Sequence, residues 1–126
     1  MTMKPNKLIP IIIACAVGLA GHANAEEFRK LSGAQIRAKL TGMQLTDESH
    51  WVESYSPSGK FTSDEMGNIR TGLWQIVKDQ FCKTYNDEKK TICYEVWISM
   101  RTLQMKIPGS SYPPFEGVLE RMSNRR

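Results

Sequence analysis

Residues 81–98 read FCKTYNDEKKTICYEVWI, and their pattern predicts a β-hairpin. Two runs rich in aromatic and β-branched residues flank a polar tip at Asn86–Lys89, a composition typical of a turn. Centring the turn in that tip places Cys82 opposite Cys93. Because opposed residues on antiparallel strands have Cα atoms ~4.5–5.5 Å apart, a disulfide can bridge them. We predict a structural Cys82–Cys93 disulfide, since the Cys-x-x-Cys spacing of redox-active pairs is absent.

Similar short segments lie on both sides of the hairpin, separated by turn residues such as Ser56–Gly59. Their aromatic and β-branched content favours strands. The predicted strands cover residues 49–55, 60–66, 70–77, 81–85, 91–98 and 103–107. Sequential strands joined by tight turns form an antiparallel meander, which at this length curls into a strongly bent sheet or a small lipocalin-like barrel. The sequence leaves both forms open.

One short helix is predicted before these strands. Ser32 and Gln35 have the spacing of a capping box, in which each side chain accepts a hydrogen bond from the backbone of the other residue. Gly42 then supplies a C-terminal stop. We expect an amphipathic helix over residues 33–41 that covers one sheet face or one end of a barrel. The predicted fold class is therefore mainly β (α+β).

The N-terminus has the three parts of a secretory signal peptide. The first residues carry lysines and no acid, residues 8–20 are apolar, and Ala23-Asn24-Ala25 offers a small-residue cleavage site. We expect cleavage after Ala25, so that residues 1–25 are a signal peptide and residues 26–126 a single disulfide-stapled, β-rich domain.

A lipid anchor is the alternative to a freely exported chain. The stretch IIAC at residues 12–15 places two apolar residues and one small residue before Cys15, as in lipid-modified cysteines. The apolar run continues beyond Cys15 to the cleavage site, which favours ordinary cleavage and a periplasmic or secreted protein. No later apolar run reaches the ~20 residues of a membrane-spanning helix, so no transmembrane span is expected.

The charge pattern indicates no nucleic-acid partner. The chain has 17 Lys and Arg against 13 Asp and Glu, a formal net charge of +4. Basic residues are interspersed with acids, as where Arg29–Lys30 follows Glu26–Glu27. A nucleic-acid-binding protein concentrates its positive charge on one face.

Few residues suggest catalysis. His50 is the only histidine after the predicted cleavage site, and with both later cysteines paired, no set of zinc ligands remains. Gly-x-Ser-x-Gly, His-Glu-x-x-His and phosphate-binding glycine motifs are absent. We therefore predict no metal and no cofactor. The one catalytic alternative is a carboxylate pair of Glu53 and Glu95, because glycosidase-type acids are brought together in space.

Tryptophans alternate with these two acids. Trp51 precedes Glu53 by two residues, and Trp97 follows Glu95 by two. If both faces point inward, the four side chains line an aromatic cavity together with Trp74. If they point outward, the acids are surface residues. The tryptophans are interpreted first as core anchors and second as a platform for a ligand.

The segment Pro108–Phe115, PGSSYPPF, is predicted to be an ordered loop. Its candidate partner contacts are Tyr112, Pro113, Pro114 and Phe115. After it, Val118, Leu119 and Met122 predict a last helical turn before the basic end at residues 123–126.

Several short motifs in a fixed order resemble those of a known family. They are Leu31–Ile36, Tyr55–Gly59, Gly72–Ile76, Asp79–Cys82 and Cys93–Val96. The order is similar to that of a family of small secreted proteins of Gram-negative bacteria classed as a domain of unknown function. The resemblance implies a periplasmic, β-rich domain, and it transfers no catalytic residues. The chain after Met100 departs from the pattern.

Three functions fit these residues. The first is an exported, non-enzymatic binding or accessory protein of the periplasm or cell envelope, an inhibitor or interaction module that contacts a protein partner through a strand edge or the 108–115 loop. The second is a carrier with a small apolar ligand inside the barrel. The third is a small hydrolase using Glu53 and Glu95.

Overall fold

A computed structural model describes residues 27–122. Within this range the chain forms one helix and nine strands, in an order that begins with a short strand and the helix. The elements are β1 (Arg29–Lys30), α1 (Gly33–Leu40), β2 (Met43–Thr46), β3 (Trp51–Tyr55), β4 (Lys60–Glu65), β5 (Asn68–Val77), β6 (Gln80–Tyr85), β7 (Thr91–Ser99), β8 (Thr102–Lys106) and β9 (Phe115–Arg121). The predicted signal peptide with Cys15, and the basic end at residues 123–126, lie outside the described residues.

The hairpin of β6 and β7 has the predicted register. Cys82 pairs with Cys93, Lys83 with Ile92, and Thr84 with Thr91. The Cys82–Cys93 disulfide is present, and its two Cα atoms are 4.0 Å apart, slightly closer than predicted. Since both strands continue the meander on either side, this hairpin sets the alternation of inward and outward side chains for its neighbours.

Strands β2 to β9 form a closed, eight-stranded antiparallel barrel. Each strand pairs with its neighbours in sequence, and β9 closes the ring by pairing with β2, where Leu45 lies opposite Leu119. The prediction of a meander that curls into a small barrel is confirmed.

The last helical turn predicted from Val118, Leu119 and Met122 is wrong. Residues 115–121 form β9, which lies between β2 and β8 and pairs with both. The short apolar run is compatible with a helix locally. The backbone N–H and C=O groups along the two strand edges need partners, and only an extended segment supplies them.

Two further strands escaped the sequence-based prediction. β2 is only four residues long, which is too short for a clear alternation of polar and apolar residues. β1 consists of two charged residues, Arg29 and Lys30, in a polar segment. β1 pairs with β7 at Trp97 and Ile98, beyond the point where β6 ends. Its strand character comes from the free edge of β7 rather than from its own residues.

The helix closes one end of the barrel. Its capping box is formed: Ser32 Oγ accepts the backbone N–H of Gln35, and Gln35 Oε1 accepts that of Ser32. The Leu31 N–H donates to Val96 O on β7, and the Gly42 N–H donates to Tyr55 O on β3. The helix therefore crosses the barrel end from β7 to β3, one residue shorter than predicted.

Side chains fill the barrel interior, with Trp74 among them as a core anchor, as predicted. The buried apolar residues are Leu31, Ile36, Leu40, Leu45, Tyr55, Phe61, Trp74, Phe81, Val96, Ile98, Leu103, Met105 and Leu119. They come from the helix, from Leu31 just before its N-cap, and from every strand of the barrel, so that closure of the ring and filling of the core depend on each other.

Replacing both cysteines, in the Cys82→Ala/Cys93→Ala variant, should lower the melting temperature by roughly 10 °C or more. A closed loop of about a dozen residues contributes ~3 kcal/mol in the chain-entropy model, and a domain of this size loses ~4–8 °C per kcal/mol. Differential scanning calorimetry measures the effect. A reductant should lower the melting temperature of the wild type to that of the variant, and an unchanged variant would contradict a stabilising disulfide.

Candidate functional site

A buried ion pair occupies the middle of the barrel. Lys83 Nζ on β6 lies 2.8 Å from Glu53 Oε2 and 3.1 Å from Oε1 on β3, and the side chains are 6% and 3% exposed. The Tyr55 hydroxyl donates to Glu53 Oε1 at 2.9 Å. Because the carboxylate accepts three hydrogen bonds, its negative charge is satisfied within the protein.

Four aromatic rings surround the Lys83 ammonium group. The rings are those of Phe61, Tyr85, Tyr94 and Phe115, with centroids 5.3 to 5.7 Å from Lys83 Nζ. This is within the ~6 Å over which a ring attracts a cation. The rings therefore both exclude water from the ion pair and stabilise its positive charge.

Lys83 keeps its positive charge near neutral pH. Burial lowers the pKa of Lys83, but attraction by the Glu53 carboxylate outweighs it, and the pKa lies above its ordinary value. Burial, reinforced by the adjacent Glu53 charge, raises the pKa of Tyr55 well above its ordinary value. A lysine and a tyrosine that both hold their protons are poor bases and nucleophiles, so this cluster has the properties of a structural contact.

The two acids predicted as a catalytic pair lie on opposite faces of the barrel wall. Glu53 points inward to Lys83, whereas Glu95 is on the outer face of β7, with its Oε2 2.9 Å from Lys30 Nζ. Successive side chains alternate along β7, and Val96 and Ile98 are the ones that fill the core. The prediction that Glu53 and Glu95 form one site is wrong for this reason.

The three tryptophans predicted to line one cavity also lie on different faces of the barrel wall. Trp51 and Trp74 belong to inward positions, where Trp51 stacks on Phe115 with ring centroids 4.2 Å apart. Trp97 lies on the outer face, and Lys106 Nζ is 4.7 Å from its ring centroid. The three rings therefore do not meet, and the set proposed to line an interior cavity is not assembled.

The two interaction surfaces considered from the sequence are a strand edge and the 108–115 loop. Every barrel strand pairs with a neighbour on each side, so unpaired strand edges are limited to short stretches such as Asn68–Arg70 of β5, which β6 does not reach. In the 108–115 loop, Tyr112 is 83% exposed and Pro113 and Pro114 are exposed. Phe115 begins β9, and its partly buried ring contacts Trp51 and the Lys83 ammonium group.

A groove with a volume of about 740 Å³ lies on the outer wall of the barrel. We call it the outer groove. Its floor consists of outward-facing side chains of β2, β3, β4 and β9, and its rim of residues 48–50 and the turn at Met66–Gly67. The floor side chains that can form hydrogen bonds are Gln44, Thr46, Ser54, Thr62, Asp64 and Glu120.

Three carboxylates line the outer groove, and the described residues give none of them an ion-pair partner. Glu120 Oε1 accepts a hydrogen bond from Gln44 Nε2 at 2.6 Å, and Asp64 Oδ1 accepts one from the Gly67 N–H at 2.9 Å. Glu48 lies at the rim. The described lining contains no Lys or Arg, so the groove is a concave, negatively charged surface.

One end of the groove is shaped by an ordered loop between β2 and β3. Asp47 Oδ1 accepts the backbone N–H groups of Ser49, His50 and Trp51, and Asp47 Oδ2 lies 2.9 Å from His50 Nδ1. The hydrogen bond from the His50 backbone N–H has the largest effect on Asp47, and together these hydrogen bonds hold the pKa of Asp47 below its ordinary value. The loop thereby presents the His50 ring at the rim in a defined position.

Sequence reasoning missed both the ion pair and the groove. Lys83 alternates with Phe81 and Tyr85 along β6, which signals an inward position, but a lysine within a strand usually faces solvent. The groove residues read as ordinary solvated positions, because the groove forms only where the β2–β3 loop and the turn at Met66–Gly67 stand beside the outward side chains of four strands.

Neither a metal-binding cluster nor a membrane-spanning helix is found among residues 27–122. In this range, no group of three or more His, Cys, Asp and Glu side chains is arranged to hold a metal ion. The one helix of the same range is too short to cross a membrane.

The chain matches no protein-family model, no curated protein and no solved structure.

The variants Lys83→Met and Glu53→Gln should each destabilise the domain by ~3–5 kcal/mol, because each leaves one buried charge without its partner. The double variant should be clearly more stable than the sum of the two effects predicts, since the new amide still accepts from Tyr55 and no charge remains. Urea denaturation of the four proteins measures this coupling. The control Lys90→Met, at an exposed position, should change the free energy of unfolding by less than ~0.5 kcal/mol. Additive effects in the double variant would contradict the ion pair.

Proposed function

We propose that this chain is an exported, non-enzymatic binding protein whose outer groove holds a positively charged segment of a partner protein. The observation that supports this proposal is the position and charge of the outer groove, which lies on the outer wall and is lined by three carboxylates without described ion-pair partners. A Lys or Arg side chain entering the groove would form charge-assisted hydrogen bonds, which are stronger than neutral ones.

The polar floor of the groove fits a polypeptide ligand. Gln44, Ser54 and Thr62 carry donors and acceptors that a bound main chain needs, and they lie on three adjacent strands. Met66, 80% exposed at the rim, offers a flexible apolar contact. Such a surface suits an inhibitor or accessory module better than a carrier of apolar molecules.

The barrel interior favours this proposal over an apolar-ligand carrier. Its centre is occupied by the Lys83–Glu53 pair and the rings around it. A ligand entering there would have to separate a desolvated ion pair, which is costly. An enzymatic function lacks support as well, because Glu53 is engaged by Lys83 while Glu95 lies on the other face.

Export is the second part of the proposal. The Cys82–Cys93 disulfide is typical of an oxidising compartment, and residues 1–25 have the pattern of a cleaved signal peptide. The resemblance to small secreted proteins of Gram-negative bacteria points to the periplasm.

The groove is tested with the fluorescein-labelled peptide Gly-Lys-Gly-Arg-Gly-Lys-Gly and a counterpart that carries Glu at the charged positions. We expect fluorescence anisotropy to show binding of the basic peptide only, weakened by added salt. The variant Asp64→Asn/Glu120→Gln should weaken binding at least tenfold, since it removes two of the three carboxylates.

The matched control is Glu27→Gln/Glu116→Gln, which changes the net charge equally at exposed positions outside the groove. It should leave the affinity within about twofold. Equal weakening by both double variants would mean that net charge, and not the groove, attracts the peptide.

Export is tested by expressing the full chain in a Gram-negative host and recording the intact mass of the purified protein. We expect a periplasmic protein that begins at Glu26 and has two hydrogens fewer than the reduced chain. A chain that begins at Cys15 and carries an attached lipid would show that the exported protein is anchored to a membrane and not free. An uncleaved chain with free thiols in the cytoplasm would refute export.

A further inference from the structure

A second cavity lies at the end of the barrel that the helix covers. It has a volume of about 290 Å³ and separates the C-terminal half of α1 from the turn between β7 and β8. We call it the basal crevice. It shares no described lining residue with the outer groove, so it can be occupied independently.

The walls of the basal crevice are apolar. Ile98 and Leu119 belong to the barrel core and leave only 3% and 6% of their surfaces exposed, and Met43 packs against that core. Met100, at the tip of the β7–β8 turn, is 93% exposed and also lines the crevice. Methionine side chains adapt readily to an apolar ligand, and one bound here would remove part of the Met100 surface from water.

Two cations stand at the opening of this apolar space. Lys39 and Arg101 both line the crevice, and none of the other described lining residues is acidic. Neither cation forms an ion pair with another described residue. The C-terminal end of α1 carries a partial negative charge, but two full positive charges outweigh it. An anionic group is therefore favoured at the opening, and Arg101 can bind a carboxylate through two parallel hydrogen bonds.

We propose that the basal crevice binds a medium-chain fatty acid, with its alkyl chain against Met43, Ile98 and Leu119 and its carboxylate between Lys39 and Arg101. The volume supports a single short chain, because it lies near the lower limit of ~300–1,000 Å³ for small-molecule sites. A two-chain phospholipid would exceed it. This site does not depend on the outer groove, and it differs from the interior cavity expected of a carrier barrel.

The experiment is an NMR titration of the ¹⁵N-labelled protein with decanoate, octanoate and octan-1-ol. Decanoate should shift the amide signals of residues 38–43 and 98–101 and should bind about fifteenfold more tightly than octanoate, because each of its two additional buried methylenes contributes roughly fourfold. Octan-1-ol has the same chain length as octanoate without the charge, so it should bind at least fivefold more weakly than octanoate.

The variant Lys39→Glu/Arg101→Glu should weaken decanoate binding at least tenfold while retaining the wild-type fold, since both residues are exposed. The matched control Lys60→Glu/Lys90→Glu changes the net charge equally at exposed positions outside the crevice and should stay within about twofold. A second variant, Met100→Glu, should also weaken binding by placing a negative charge at the opening.

The proposal would be overturned by equal affinities for octanoate and octan-1-ol, by an unchanged affinity of Lys39→Glu/Arg101→Glu for decanoate, or by amide shifts confined to residues of the outer groove. Binding to vesicles of anionic phospholipid without binding of free decanoate would overturn it as well, because the site would then recognise a membrane surface. The groove peptide should bind the Lys39→Glu/Arg101→Glu variant as it binds the wild type, so the two sites are tested separately.

Discussion

The ion pair between Lys83 and Glu53 constrains the positions of the strands and aromatic rings around it. Two opposite charges buried away from water are stable only while they are in contact and while their remaining hydrogen-bonding groups have partners. The Tyr55 hydroxyl and the surrounding rings meet that requirement. Since Glu53 is on β3 and Lys83 on β6, the pair also ties together two strands that are not neighbours in the sheet. A closed, filled barrel is the structure in which all these contacts hold at once.

Side chains fill the barrel interior, and the two cavities described above lie outside it. The outer groove and the basal crevice both arise where curved elements meet: the first on the wall formed by β2, β3, β4 and β9, the second where α1 lies across the barrel end. Their chemistry is opposite. The groove is polar and lined by acids, whereas the crevice is apolar with Lys39 and Arg101 at its opening. A chain of modest net charge thus carries two locally charged surfaces of opposite sign.

Local patterns predicted most of the elements but little of the candidate sites. The Ser32–Gln35 capping box and the Cys82–Cys93 register are confirmed because both depend on contacts between residues close in sequence. β9 was missed because its strand conformation depends on pairing with β8 and with β2, and β2 is far away in the chain. The Glu53–Glu95 pairing was wrong because side chains alternate along each strand: Val96 and Ile98 face the core, so Glu95 lies on the outer face of β7.

The sequence by itself determined the antiparallel hairpins, the capped helix and the disulfide, because turn chemistry, capping and strand alternation act over a few residues. Only the tertiary structure decided that the ring closes, that Lys83 meets Glu53 from 30 positions away, and that outward side chains of four strands share one groove. These outcomes depend on the closed sheet as a whole, since bringing distant strands together decides which side chains share one surface and which charges lose water.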